Sequence, residues 1–579
     1  MTALLDALMN NPAVIMMVGA LMCVAIPRHL ASPILLIATA LSAVKLYSLG
    51  LGQYGAISLF GEQLTTIRLD PMARLFAIVF HIAAALNIIY AWGQRDRAQN
   101  FATLAYPAAA LGGVLSGDLI TLFVWWELAA ITSVFLVWAP GTRATYLSGM
   151  RYLAVQIFSG VMLLGGIVML YRETGSLAFE NIGLRDENTG MIKLSGLVML
   201  LAFGIKAAFP LLHNWVQDSY PKSTISGTII LSVFTTKLAV YSLARGFPGT
   251  QELIYIGAVM TIFPIFFALI ENDLRKVLTY SINNQVGFMV VGIGVGTATA
   301  LNGAVGYAFC NIIFESLLFM SVGAAMFRTG SSKATDLGGL YRTMPITMVF
   351  CIIGALSISA FPFFAGFVTK GLIIDGVAAE HMALIWMVLL FASAGVLEHA
   401  GIKIPYFTFF GHDSGKRPKE APIRMLIAMG ISAVLSVGIG VFPEPLYALL
   451  PHQDQIAQYH PYTAYHIVEQ LQLLLWAVLA FAVLILIKWY PAEVPSTNLD
   501  TDWFYRVPGR ALLGWVSGAS RATWIALWGI FSGRLQAVMA RIYSVHGPEG
   551  QMSRSWPIGF MALWAAVLLA LVLVLSFLA

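Results

Sequence analysis

Charge is scarce in this chain. Asp, Glu, Lys and Arg make up 11% of its 579 residues, against roughly 25% in a soluble globular domain. No polar segment is long enough to bury a core of its own, so the length does not signify several soluble domains. Cysteine is nearly absent. Cys23, Cys310 and Cys351 lie far apart in apolar stretches, without the CxxC or Cys/His spacing that iron–sulfur or zinc requires. They read as packed core thiols, and neither a redox centre nor any other cofactor held by this chain is expected. The start, MTALLDALMNNP, has no basic n-region and no small-residue cleavage site, so a removable signal peptide is not expected. No basic run accompanies the net charge of +5, which argues against nucleic acid as a partner.

What is present is apolar. Hydrophobic residues make up 59% of the chain, and about sixteen runs, from 12–26 to 556–578, are long enough to cross a hydrocarbon core of about 30 Å. The reading is an all-α polytopic membrane protein with about 14–16 transmembrane helices. Short-loop arginines and lysines set its orientation. Loops that follow odd-numbered helices carry Arg28, Arg95, Arg97, Arg143, Lys222, Arg275, Lys276, Arg328, Lys333 and Arg342, and near 403–424 five more. The even loops carry Arg68, Arg172, Arg185, Lys193 and Arg245. The odd loops are thus expected in the cytoplasm and both termini on the other side of a bacterial inner membrane. Residues 490–555 begin polar, then mix Trp515, Trp524 and Trp528 with Arg510, Arg521, Arg534 and Arg541. That mixture suits an amphipathic helix on the cytoplasmic interface, ahead of a final transmembrane helix at 556–579.

Five ionisable residues sit deep inside these runs: Glu127, Lys206, Lys237, Glu315 and Lys370. A charge at the bilayer centre costs at least about 2.5–3.5 kcal/mol, so a route for protons or small cations is the first hypothesis. Two of the runs look broken. Pro210 follows Lys206 in 193–212, and Phe361-Pro362 and Gly366 precede Lys370 in 345–373. Proline removes a helical hydrogen bond and frees backbone carbonyls. Such breaks in two five-helix blocks, 101–245 and 252–404, predict an inverted repeat of the transporter kind. Residues 1–100 would precede the blocks, and 405–489 would add further core helices.

Six segments carry a family resemblance. They are DLITLFVWWEL (118–128), GIKAAFPLLHNWVQDSYPKSTISGTIILSVFTTKLAVY (204–241), NDLRKVLTYSINNQVGF (272–288), FESLLFMSVGAAMFRTG (314–330), DLGGLYRTMP (336–345) and ALSISAFPFFAGFVTKGLI (355–373). Together they resemble the antiporter-like subunits shared by respiratory complex I, membrane-bound hydrogenases and Mrp-type multisubunit cation/proton antiporters. Within that family the chain looks most like the D-type subunit of the Mrp antiporters. The resemblance implies fourteen core helices in two inverted repeats, other subunits as partners, and H+ with Na+ as transported ions. It also implies roles for single residues. Glu127 matches the family's WEL glutamate, Lys206 the lysine of the first broken helix, and His213 the histidine before a WLP-like stretch, here Trp215-Val216-Gln217. Lys237 matches the lysine of TKxxxY, and Lys370 that of GFxxK.

One position departs from the pattern. Many relatives read HxxxK where this chain has Asn311 and Glu315, so the central base has become an acid, a hard oxygen ligand that suits a transient Na+ contact. The implied mechanism pairs Glu127 with Lys206. Unit charges 4 Å apart interact by roughly 4 kcal/mol at an effective dielectric near 20, so opening that pair would switch Lys206 between holding and releasing a proton. The proton would then pass Lys237 and the Asn311/Glu315 region to Lys370, with His213 loading Lys206. Each site also has a structural reading: a static ion pair for Glu127 and Lys206, snorkelling for Lys237, a bond to Asn311 or another helix for Glu315, and a structural lysine within reach of an interface for Lys370. A proton-pumping subunit of a complex I-like oxidoreductase or a membrane-bound hydrogenase is the alternative function. In either case the chain is not an enzyme by itself. Glu398-His399 suits an exit site or, equally, a helix-end pair, His81 a satisfied core histidine, and Gly292-Ile293-Gly294-Val295-Gly296 close helix packing.

Overall fold

The computed structural model describes residues 10–59, 61–186, 189–490, 493–494, 498–550, 553–554 and 557–578. The chain start, where no removable signal peptide is expected, lies largely outside them, as do both terminal residues. The chain divides into two compact units, one ending at Asn498 and one beginning at Leu499. Among the described residues, eleven helices are long and apolar enough to cross a membrane, and three more are shorter and apolar. The all-α reading stands, and each of the sixteen expected runs contains a helix.

The first unit opens with α1 (Pro12–Ala25) and α2 (Ala31–Ser48). An antiparallel hairpin follows, β1 (Gly52–Leu59) and β2 (Glu62–Leu69), in register from Gly52 with Leu69 to Leu59 with Glu62. No strand is expected here from the sequence. Leu64, Ile67 and Leu69 are buried, and the Gly117 amide donates to the Thr65 carbonyl at 3.0 Å, so the hairpin seals onto the end of the bundle. Next come α3 (Pro71–Tyr90), α4 (Arg97–Leu115), α5 (Leu119–Trp138) and α6 (Arg143–Thr174). Their starts are set by side-chain caps. Asp70, Asp96 and Asp118 accept from Ala73, Gln99 and Thr121 amides at 2.7–2.8 Å, and Thr142 with Thr145 closes a reciprocal capping box. Gly175, at φ 67°, ends α6 in the left-handed conformation that glycine adopts without strain.

The middle of the unit holds α7 (Leu194–Lys206), α8 (Asn214–Ser219), α9 (Ile225–Val233), α10 (Thr235–Gly246), α11 (Gln251–Ile270), α12 (Leu274–Val295) and α13 (Ala298–Thr329). It closes with α14 (Pro345–Ile358), α15 (Ala365–Ala379), α16 (Ala383–Val396, wound on as π-helix at Leu397–Ile402), α17 (Ile423–Val441) and α18 (Ala464–Leu486). Helices α4 and α12 carry too many polar residues to rank among the eleven apolar spans, yet most of their residues are buried. A helix surrounded by protein needs no apolar coat. The glycine run at 292–296 ends α12. A side chain at Gly294 would press into the Ile254 backbone, and Gly296 caps the helix at φ 73°, in keeping with close packing.

The two expected broken helices are broken, and alike. Ala208-Phe209-Pro210-Leu211 separates α7 from α8, and Ala360-Phe361-Pro362-Phe363 separates α14 from α15. In each, the first and fourth residues are left-handed, at φ 61° and 70° in one and 57° and 71° in the other. Non-glycine residues rarely adopt such values, so each break is held by its surroundings. The expected span at 193–212 ends as helix at Lys206.

In the second unit, α19 (Pro508–His546) covers the expected interfacial segment and α20 (Ile558–Leu578) the final span. Neither buries a residue. Arg510 and Arg521 share one face of α19 and Arg534 and Arg541 another, about 140° round at 3.6 residues per turn. The polar stripe therefore changes face halfway along the helix.

Candidate functional site

Lys206 is the last residue of α7, where the helix stops and its side chain turns inward, 1% exposed. Its ammonium donates to the Trp126 carbonyl at 2.7 Å and sits 4.2 Å from the centre of the Trp126 ring. The indole is itself fixed, because Trp126 Nε1 donates to Ser159 Oγ at 3.2 Å and Ser159 Oγ to the Ala202 carbonyl at 2.7 Å. Glu127, the next residue on α5, is half-buried, and its Oε1 has no hydrogen-bond partner. Among the described residues no ion pair joins Glu127 to Lys206, although the two are within electrostatic reach. Lys206 is held instead by the carbonyl and ring of Trp126. The Glu127 carboxyl lies in a notch over Gly160 of α6, where any Cβ would overlap it.

Lys237 lies just past a third interruption, at Phe234 between α9 and α10. The Thr235 amide donates to the Tyr106 hydroxyl at 2.8 Å rather than to a helical carbonyl. Lys237 Nζ takes the Ser232 carbonyl at 3.1 Å and Glu315 Oε2 at 3.0 Å. That ion pair, 0% and 1% exposed, joins α10 to α13 across 78 residues of sequence. Glu315 Oε1 has no partner, and buried Asn311, one turn earlier, faces the same carboxylate. The acid at the departed position is thus the counter-ion of Lys237.

Lys370, on α15, is 1% exposed and its ammonium has no hydrogen-bond partner. It lies 4.1 Å from the centre of the Phe288 ring and 6.0 Å from that of Tyr307. Tyr307 donates to Gln285, and Gln285 to Asn284 at 3.0 Å. This polar run on α12, with Ser281 and Asn283, is fully buried, and Tyr307 links it to both Lys370 and Glu315, which lie within reach of its ring and hydroxyl. On its other side Lys370 borders a cavity of about 40 Å³, shared with Asp375, Tyr459, His466, Glu469 and Gln470. That is room for two or three waters at about 10–15 Å³ each. His466 Nε2 and Asp375 Oδ2 stand 3.3 Å apart there.

The remaining candidates fall around this axis. His213 is buried with its ring 4.6 Å from that of Phe263. His81 is satisfied on both nitrogens, by the Ala77 carbonyl at 2.7 Å and Ser42 Oγ at 2.8 Å. His399 bonds the Gly395 carbonyl at 2.6 Å and lies within electrostatic reach of Lys370 and Lys403. Lys403 is fully buried, 2.7 Å from Glu493 and bonded to the Leu269 and Glu271 carbonyls. Glu271 in turn pairs with Lys276 at 2.7 Å.

Sequence reasoning passed over the tyrosines. Tyr106, Tyr152 and Tyr220 are fully buried between the Lys206 end and Glu315. Tyr106 shares a 2.5 Å hydrogen bond with Thr235 Oγ1, and Tyr152 one of 2.8 Å with Ser133. The Tyr220 hydroxyl has no partner. Nothing local distinguishes them from packing aromatics. A hydroxyl with no exposed helix end nearby is the one available signal, since a buried Tyr O–H needs a partner. Sequence also missed a network at the hairpin end. There Arg245 pairs with Asp70 at 2.7 Å and donates to the Tyr241 hydroxyl at 2.9 Å, while Arg68 stands 3.3 Å from Asp70. Among the described residues no group of three His, Cys, Asp or Glu could hold a metal ion.

Known proteins are similar to this chain. Residues 116–397 match the family described as NADH:quinone oxidoreductase/Mrp antiporter, transmembrane. The D subunit of a Na+/H+ antiporter from Bacillus subtilis is 26% identical over 408 residues, covering 67% of this chain and 82% of that one. Hydrogenase-4 component B of Escherichia coli is 24% identical over 428 residues, covering 67% and 64%. In the fold, a chain of an archaeal membrane-bound sulfane sulfur reductase superposes with a TM-score of 0.68 at 21% identity. The superposition covers 97% of this chain and 99% of that one.

Proposed function

From the match of residues 116–397 to the NADH:quinone oxidoreductase/Mrp antiporter transmembrane family, we propose that this chain is a member of it and the proton-conducting membrane subunit of a multisubunit Na+/H+ antiporter. The observation that carries this reading is the line of charges enclosed in the bundle. Lys206, the Lys237–Glu315 pair and Lys370 are each at most 1% exposed, and polar side chains fill the gaps between them. Buried charges are costly inside a membrane and mark ion pathways.

Glu127 modulates Lys206 by approach and withdrawal. Lys206 gives its proton up when it leaves the Trp126 carbonyl, and the Tyr106/Thr235 hydroxyls lead towards Lys237. Across the 3.0 Å hydrogen bond of Lys237 and Glu315 a proton changes owner without either heavy atom moving. Tyr307 and Gln285 continue to Lys370, which exchanges with water through the cavity it borders. The Lys237 ammonium occupies the place a cation would take beside Glu315, so a Na+ contact there requires Lys237 to be deprotonated first. The two Ala-Phe-Pro breaks support two inverted repeats, 101–245 and 252–404. The protein would sit in a bacterial plasma membrane with its arginine-rich odd loops in the cytoplasm and its termini opposite, beside other antiporter subunits.

The test uses the assembled complex in proteoliposomes carrying a proton gradient. Glu127→Gln and Lys206→Ala should each abolish gradient-driven Na+ exchange while the chain still inserts and assembles. Full exchange in both variants would end the model. Similarity to hydrogenase-4 component B favours a second reading, a redox-driven proton pump whose electron-transfer chemistry belongs to partner chains. Pumping that depends on an electron donor, with no Na+ exchange by the complex, would select it.

A further inference from the structure

A cavity of about 520 Å³ lies at the other edge of the bundle, among the ends of α3, α9, α12, α13 and α17. Three cations border it, Lys222, Arg275 and Arg424, together with the polar groups of Gln94, Ser223 and Tyr90. Among the described residues no acidic side chain lines it. The cations are incompletely neutralised. Arg275, 4% exposed, donates to the Tyr220, Ser223 and Thr224 carbonyls at 3.4, 2.9 and 3.3 Å, to the Thr228 hydroxyl and to the Met326 sulfur at 3.5 Å; Asp273 is within electrostatic reach, but no ion pair joins the two among the described residues. Arg424 donates to the Trp92 carbonyl, and its buried Nε has no partner. Lys222 is 2.6 Å from Asp218, but that carboxylate also holds Arg151 at 2.7 Å. The start of α9 adds to the positive field, because Ser223, Thr224, Ile225 and Ser226 all line the space and the first amides of a helix have no intrahelical acceptor.

A half-open, carboxylate-free space bordered by two guanidiniums, an ammonium and a helix N-terminus suits a phosphate group. Phe327 lines it and is 45% exposed. Trp92 and Ile423, next in sequence to the lining residues Gly93 and Arg424, are 38% and 71% exposed, the composition found where a membrane meets water. We propose that this cavity binds the phosphate of an anionic phospholipid headgroup, with the acyl chains leaving past Phe327 and Ile423. The site is separate from the relay, and the cations that line it would repel Na+ or H+.

The test places the full-length protein in nanodiscs of phosphatidylcholine with a minor fraction of phosphatidylglycerol and measures retained lipid by native mass spectrometry. The wild type should retain phosphatidylglycerol in preference. Arg424→Gln should lower that retention roughly fivefold, the size expected for one basic residue at an anionic headgroup. Lys222→Gln should lower it less, and carries the test if Arg424→Gln fails to fold. Arg342→Gln, at an exposed residue that does not line the cavity, should leave it unchanged. A second arm adds inorganic phosphate to protein in phosphatidylcholine alone and follows the unfolding midpoint. Stabilisation by phosphate that Arg424→Gln removes, without lipid preference, would keep the phosphate site and overturn the lipid source. No lipid preference and no phosphate effect, or an equal loss in Arg342→Gln, would overturn the proposal outright.

Discussion

The two broken helices carry the same Ala-Phe-Pro turn with the same pair of left-handed residues, yet their lysines live differently. Lys206 stands two residues before its turn and is latched, its ammonium on the Trp126 carbonyl and over the Trp126 ring. Lys370 stands after its turn, has no hydrogen-bond partner, and borders a cavity with room for water. A hydrogen bond to a charged group is worth roughly 1.5–3 kcal/mol, and an unmade one costs about the same or more. One backbone device therefore serves a held charge in the first half and an open charge in the second. The Lys237–Glu315 pair stands between them as the joint.

Breaking the joint should have the largest effect on stability. Lys237→Ala leaves Glu315 buried without its counter-ion, which costs about 3–5 kcal/mol. The thermal unfolding midpoint in detergent should fall sharply. The double variant Lys237→Met with Glu315→Leu should recover most of that stability, since an apolar pair can replace a buried ion pair at little cost, while transport stays lost. A single variant as stable as the wild type would mean that the pair is not formed.

The comparison itself is tested by Lys206→Met and Lys370→Met, both of similar volume and both expected to stop transport. Loss of the Trp126 contacts should lower the midpoint for Lys206→Met by the equivalent of about 1–3 kcal/mol. Removing an unpartnered ammonium should raise it for Lys370→Met, by less where cavity water already serves the charge. Shifts of the same sign in both variants would erase the distinction between latched and open.

How much of this was legible in the sequence follows from range. The spans were legible because apolar length is local, and the two proline turns because Pro210 and Pro362 announce them. The break at Phe234 was not, since no proline marks it and its cause is the Tyr106 hydroxyl 129 residues away in sequence. The hairpin was missed because eight-residue strands beside long apolar runs leave little periodic signal. Glu315 was singled out as an acid in place of a base, but a pairing across 78 residues cannot be read from one sequence. The same holds for Trp126, whose value lies in the carbonyl it presents rather than in its side-chain type.

In the first half the place of Glu127 depends on close helix packing. Glu127 fits over Gly160, and one methyl there overlaps its carboxyl. Gly160→Ala should therefore displace Glu127 and slow transport by about tenfold, the equivalent of about 1.4 kcal/mol. Insertion and assembly should be unaffected, because the carboxylate is half-buried and has space on its exposed side. The readout is exchange rate against pH in proteoliposomes. A moved Glu127 should shift the pH at which Lys206 unloads, whereas a merely loosened bundle would scale the rate at every pH alike.

The smallest effect should come from the third break. Tyr106→Phe removes the hydroxyl that receives the Thr235 amide and Thr235 Oγ1, leaving a buried donor with no acceptor beside Lys237. The cost is about 1–3 kcal/mol if the gap stays open, and less if α9 and α10 close into one continuous helix. Closure would return the Ser232 carbonyl to the helix and leave Lys237 to Glu315 alone. Amide hydrogen exchange separates the two outcomes. Slower exchange at Thr235 and Thr236 in Tyr106→Phe, with transport reduced, would mean that the interruption exists to present a carbonyl to Lys237. Faster exchange with transport intact would mean that Tyr106 only packs.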